Sequence, residues 1–100
     1  MIIYSVQVTI IKAREQAWLE YMQQTHLNEV LETGCFNAHQ LMKDLDWDSE
    51  TDARYVIQYT CPSRQILDEY FELHAPRLRE DVAHHFGGEF SAERKIYEVI

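Results

Sequence analysis

Apolar residues recur at every second position in four stretches of this chain and at helical spacing in the segments between them. The clearest alternation covers residues 53–61, where Tyr55, Ile57, Tyr59 and Cys61 share one face and Arg54, Val56, Gln58 and Thr60 the other. Successive strand residues point to opposite sides, so this stretch reads as a central strand. Its first face is strongly apolar and its second only mildly polar, and both expect cover. Residues 2–11 repeat the pattern, with Ile2, Tyr4, Val6, Val8 and Ile10 set against Ile3, Ser5, Gln7 and Thr9. Residues 35–45 are less regular, with Phe36, Ala38 and Met42 on the face of Gln40, and Leu41 and Leu45 on that of His39 and Lys43, a mixture that suits an edge strand. Residues 90–100 end in a fourth strand, with Ala92, Arg94, Ile96, Glu98 and Ile100 on one side.

The intervening segments carry the period of a helix. From about Ala13, Trp18, Tyr21, Met22 and Thr25 form one stripe, while Arg14, Glu15, Glu20 and Gln23 lie away from it. Leu27, Val30 and Leu31 fall on the opposite side at about 100° per residue, so one straight helix cannot bury both sets. This predicts a break near His26–Asn28, then a short helix ending at Gly34, which suits the left-handed position after a helix. The second helical segment starts at Ser63, a good N-cap, and carries Ile66, Leu67, Tyr70 and His74 on its inner stripe. Pro76 interrupts it, and Leu78, Val82 and Phe86 continue the stripe up to Gly87 and Gly88. A shift of 48 residues superposes Trp18 on Ile66, Met22 on Tyr70, His26 on His74 and Val30 on Leu78, a weak internal repeat of two strand-helix-strand units.

The order β-α-β-β-α-β predicts a single domain over 1–100 of ferredoxin-like α+β class. Its four-stranded antiparallel sheet has the first and third strands central and two broken helices on the Tyr55-Ile57-Tyr59 face. Helices on one side leave the other uncovered. Ile3, Ser5, Gln7 and Thr9 beside Val56, Gln58 and Thr60 make that open face too poor in charge for water, with Arg54 the one charged residue of these two strands on it. A second copy is expected to stack there as a homodimer, closing a dimeric α/β barrel.

Composition narrows the partners. Nine basic residues against seventeen acidic ones leave a net charge of −8, and the basic residues form no stripe, which argues against nucleic acid and anionic membranes. Neither a signal-like segment nor an apolar run of membrane length is visible, so a cytoplasmic protein is expected. Cys35 and Cys61 are too few for a disulfide framework. Asp44, Asp46, Asp48, Glu50 and Asp52 place an acid at every second position of one loop, but the Gly and Glu of a calcium loop are replaced by Ser49 and Tyr55. A solvated hairpin tip without a tight divalent-ion site is expected.

Several motifs together carry a family resemblance: Met1-Ile2-Ile3-Tyr4, Trp18-Leu19-Glu20-Tyr21-Met22, the run from Thr25 to Phe36, Gln58-Tyr59, His74-Ala75-Pro76-Arg77-Leu78-Arg79 and Phe86-Gly87-Gly88. Over essentially its whole length the chain resembles the small bacterial family catalogued as domain of unknown function 4286. Where that family often has Pro after the first His, this chain has Asn28. The resemblance implies membership of the dimeric α/β-barrel group, which includes cofactor-free monooxygenases, haem-handling proteins and non-catalytic ligand-binding modules. It implies no activity of its own.

His26 and His74 occupy equivalent places in the two units and are the candidate catalytic residues. With Arg77, Tyr55, Tyr59 and Trp18 as candidate ligand-binding residues, they would line a pocket between sheet and helices, where an imidazole takes a proton and Arg holds an anion. A second role is open to both histidines, as caps of backbone groups freed at the helix breaks. No metal site is expected, since His26 with Glu29, or His84 with His85, offers too few converging ligands. No cofactor motif stands out, and Gly34, Gly87 and Gly88 all sit at helix ends. Two functions remain: a ligand-binding or regulatory module without catalysis, and a metal-free, monooxygenase-like or isomerase-like enzyme of small molecules. A filled space under the histidines would favour the module, and an open pocket with a perturbed His the enzyme.

Overall fold

The computed structural model describes residues 1–100. Strands β1 (Ile2–Ile11) and β3 (Asp52–Cys61) are the centre of a four-stranded antiparallel sheet of order β2-β3-β1-β4, with β2 (Ala38–Lys43) and β4 (Phe90–Glu98) at its edges. The expected central pair and edge strand are both found. Ten consecutive pairs join β1 to β3, from Ile2 opposite Cys61 to Ile11 opposite Asp52. Burial alternates without exception along both strands, so one face is packed and the other is not. β2 is shorter than the expected 35–45. Cys35 and Phe36 turn into the core and are buried, and from this stretch Asn37 sends its N–H to the Thr60 carbonyl, 2.8 Å away.

The packed face is covered by α1 (Glu15–Tyr21), α2 (Leu27–Glu32), α3 (Arg64–Leu73) and α4 (Ala75–Phe86). The first helical segment is not broken at His26–Asn28 as its two stripes predict. A π-helical turn, Met22–His26, joins α1 to α2, and the Leu27 N–H bonds to the Met22 carbonyl five residues back. In a regular α-helix Leu27 would sit about 140° round from Met22. The wider turn absorbs one residue, and Trp18, Met22, Leu27 and Val30 are all buried on one side.

The second segment does break, at His74 (φ −123°, ψ −41°), with Pro76 in the first turn of α4 where its missing N–H is harmless. Ser63 caps α3, its Oγ accepting from the Ile66 N–H at 3.2 Å. Thr33 ends α2 before Gly34, whose φ of +79° explains why glycine stands there. In the acidic loop Trp47 lies over the Arg54 guanidinium, 3.5 Å from its ring centre, and Arg54 donates to Thr9 Oγ1 at 3.1 Å. No helix is long and apolar enough to cross a membrane.

The π turn makes an unusual deletion tolerable. Removing Gln24 should restore regular α-helical spacing between Met22 and Leu27, retain a cooperative melt and lower stability by at most about 1 kcal/mol, some 4–8 °C in Tm. Leu27→Ala should cost about 2–5 kcal/mol. A deletion variant that no longer unfolds cooperatively by calorimetry refutes this account of the turn.

Candidate functional site

Between the packed face and the helices lies a cavity of about 110 Å³. Tyr4, Val6 and Val8 of β1, Ile57 and Tyr59 of β3, and Phe90, Ala92 and Arg94 of β4 form its floor. Trp18, Met22 and His26 close it from the first helical segment, and Tyr70, Leu78, Arg79 and Val82 from the second. The strand register explains the floor: Tyr4 sits opposite Tyr59 on one side and Ile96 on the other, and Val6 lies between Ile57 and Arg94.

Aromatic rings dominate the walls. The Tyr4 ring lies 5.8 Å from Tyr59 and 6.2 Å from Tyr70, and Phe36 contacts Tyr59 and Tyr70 at 5.1 and 4.7 Å from behind. Burial holds the Tyr59 phenol far above its ordinary value, so it stays protonated. Burial and the neighbouring Tyr4 also push the Tyr70 phenol up, against the pull of Arg79 and Arg94. Both guanidiniums therefore stand near the same phenol. Arg79 donates to Tyr4 Oη at 3.3 Å and lies 5.7 Å from the Phe71 ring centre.

His26 supplies the titratable group. It ends the π turn, stacks on Tyr21 at 6.1 Å, and its Nδ1 is buried with no hydrogen-bond partner. Removal from water lowers its pKa below the ordinary histidine value, against the opposing charges of Glu29 and Asp81, so the ring is neutral at pH 7. His39 Nδ1 and Trp47 Nε1 also lack partners, but neither residue lines the cavity.

Of the residues singled out from the sequence, His26, Tyr59 and Trp18 meet at the cavity, and His74, Arg77 and Tyr55 lie outside it. The histidine equivalence is lost because the two segments turn differently. The kink at His74 gives the inward place to Ala75, 1% exposed, and the partly exposed imidazole makes no capping hydrogen bond. Arg77 is held at the surface between Glu29 and Asp81, at 3.4 and 3.6 Å. Tyr55 lies beneath the start of α1, its ring 5.0 Å from Trp18 and its hydroxyl donating to Glu15, which also pairs with Lys43. These two hydrogen bonds draw the Glu15 carboxyl below its ordinary value. No three His, Cys, Asp or Glu side chains converge anywhere in a group that could hold a metal ion.

A model of the family described as a domain of unknown function (DUF4286) matches residues 1–100. The chain belongs to that family. No curated protein matches it. Among solved structures, this DUF4286 chain is similar to HapK from Hahella chejuensis, with a TM-score of 0.75 at 12% identity over 100% of this chain and 93% of the other. SnoaB, a cofactor-independent oxygenase from Streptomyces nogalater, gives 0.71 at 11% identity over 99% and 93%. A dimeric ferredoxin-like protein from an uncultured marine organism gives 0.72 at 16% identity over 100% and 95%. At such identities the likeness establishes the ferredoxin-like fold of the DUF4286 chain.

Sequence reasoning missed Tyr4, Tyr70, Arg79 and Arg94 as site residues. The rings read as core, which they also are. Arg94 did carry a signal, a lone cation alternating with Ala92 and Ile96, but the side facing the helices follows only from the pairing with β1.

The state of His26 can be checked by NMR. Its titration midpoint should lie below the reference 6.5. Because the folded value is below the unfolded one, its contribution to stability is complete above about pH 6.5 and is lost as pH falls toward the folded pKa. This part of the pH dependence should vanish in His26→Gln, as read by thermal melts at stepped pH.

Proposed function

We propose that this DUF4286 protein is a homodimeric, metal-free enzyme that binds a small aromatic molecule in the sheet-helix cavity and withdraws a proton from it with His26. The observation that carries the reading is that His26, a neutral imidazole with a buried, partnerless Nδ1, lines the aromatic-walled cavity. A base with a depressed pKa accepts a proton at neutral pH, and apolar walls keep competing water away. The carbanion or phenolate left behind can react onward with dioxygen without a metal, and SnoaB, which has a similar fold, is described as a cofactor-independent oxygenase.

A non-catalytic ligand-binding or regulatory module is the second reading, favoured by one feature. His26 Nδ1 has no group to orient it, whereas catalytic bases are commonly oriented by a hydrogen-bonded third residue.

The dimer reading rests on the open face. Ser5, Gln7, Val56, Gln58, Glu93, Lys95 and Tyr97 line a shallow groove of about 220 Å³ there, on the side without helices. Two such faces stacked about 10 Å apart would bury roughly 1,500 Å² or more, the scale of a stable interface. The dimeric description of the marine neighbour agrees.

With metals removed by chelation, small hydroxyaromatics supplied under air should show oxygen uptake or deuterium exchange from solvent. His26→Gln should slow this by about 10²- to 10⁴-fold, and His74→Ala should leave it unchanged. Equal rates in His26→Gln and the parent protein refute the base, and binding without turnover selects the module. Light scattering should report twice the 11.9 kDa chain mass. Gln58→Glu or Val56→Asp should weaken association by about 3 kcal/mol or more by burying an unpaired charge. A monomer at micromolar concentration refutes the dimer.

A further inference from the structure

The arginines of this chain are not used alike. Arg14 pairs with Glu89 at 3.0 Å, Arg64 with Asp68 at 2.9 Å, and Arg77 with Glu29 and Asp81. Arg54 is stacked under Trp47 and bonded to Thr9. Like Arg54, Arg79 and Arg94 form no salt bridge, although acids outnumber bases seventeen to nine. Arg79 and Arg94 both line the one aromatic cavity. They approach it from opposite walls, Arg79 from α4 and Arg94 from the edge strand β4. Both stay exposed, while Tyr4, Tyr59 and Tyr70 behind them are buried.

From this placement we infer that the cavity's ligand is a single-ring aromatic carboxylate, its ring among Tyr4, Tyr59 and Tyr70 and its carboxylate held at the mouth between Arg79 and Arg94. The inference rests on the proposed reading of the cavity as a ligand site and adds the substrate class. Size limits the ring count: a dry cavity of about 150 Å³ takes up benzene, so about 110 Å³ has room for no more than one ring, with its substituent at the mouth. Charge sets the substituent. A protein of net charge −8 repels anions in general, so admission of one requires a local positive site, which two unneutralised guanidiniums supply. Planar guanidinium matches carboxylate geometry in paired hydrogen bonds, and Tyr4 Oη, already accepting from Arg79, fixes that fork against the ring wall. His26 lines the same cavity, and its neutral state adds no further cation to it.

Calorimetric titration of the intact protein with benzoate, benzyl alcohol, acetate, phenyl phosphate and inorganic phosphate tests this. Benzoate should bind saturably, with benzyl alcohol and acetate at least about tenfold weaker, since each lacks one of the two recognised features. Arg79→Gln and Arg94→Gln should each lower benzoate affinity about tenfold or more at unchanged Tm. The result is overturned if benzyl alcohol matches benzoate, if both Arg variants bind benzoate normally, or if no aromatic carboxylate binds. Tighter binding of phenyl phosphate or of inorganic phosphate also overturns it, by making the site one for phosphate. His26→Gln should retain benzoate binding, so loss of the base leaves this inference standing. Turnover of a neutral phenol without benzoate binding would sink the inference and spare the base.

Discussion

The ten-residue pairing of β1 with β3 is the constraint on which both faces of this protein depend. Side chains alternate with a period of two, so a slip of one residue would carry Tyr4, Val6 and Val8 to the open side and bring Ser5, Gln7 and Thr9 under the helices. The observed register avoids this by setting apolar against apolar on the packed face, Tyr4 beside Tyr59 and Val6 beside Ile57. On the other face it sets Ser5 beside Gln58 and Gln7 beside Val56. The cavity floor and the polar groove are thus the two sides of one ladder. A change at one central strand position is felt on a single side, which allows a ligand site and a subunit contact to share two strands.

Above the packed face, the helices meet a mismatch of spacing in two ways. The first segment has its apolar residues one position too far apart to follow an α-helical stripe, and a π turn takes up the extra residue while the chain stays helical throughout. Burial of Leu27 and Val30 offsets the poorer geometry of that turn. Its last residue, His26, is left over the cavity without a partner for Nδ1. The second segment uses proline, which cannot continue the helix, and the resulting kink turns His74 away. Near-equivalence in sequence has become inequivalence in chemistry.

Electrostatics then separates the site from its surroundings. Arg14, Lys43, Arg64 and Arg77 are neutralised by carboxylates on the surface, where such pairs contribute little to stability. Arg79 and Arg94 stand apart at the cavity mouth, and the Tyr59 and Tyr70 phenols and the His26 imidazole are held neutral by burial. An uncharged aromatic interior with a cationic rim is a selective environment, whatever chemistry follows inside it.

The sequence by itself determined the β-α-β-β-α-β order, the central strands, the Ser63 cap, the glycine after α2 and the kink at Pro76, because each follows from local rules of period, capping and backbone freedom. It also placed His26, Trp18 and Tyr59 at a sheet-helix pocket, since inward faces can be read from alternation. Only the tertiary structure decided that the first helix continues through a π turn, because that choice depends on burying four side chains against one sheet. The exclusion of His74, Arg77 and Tyr55, and the arrival of Tyr4, Tyr70, Arg79 and Arg94, were decided there too. Residues as distant as Tyr4 and Arg79 become neighbours only through strand register and helix packing, which no local spacing records.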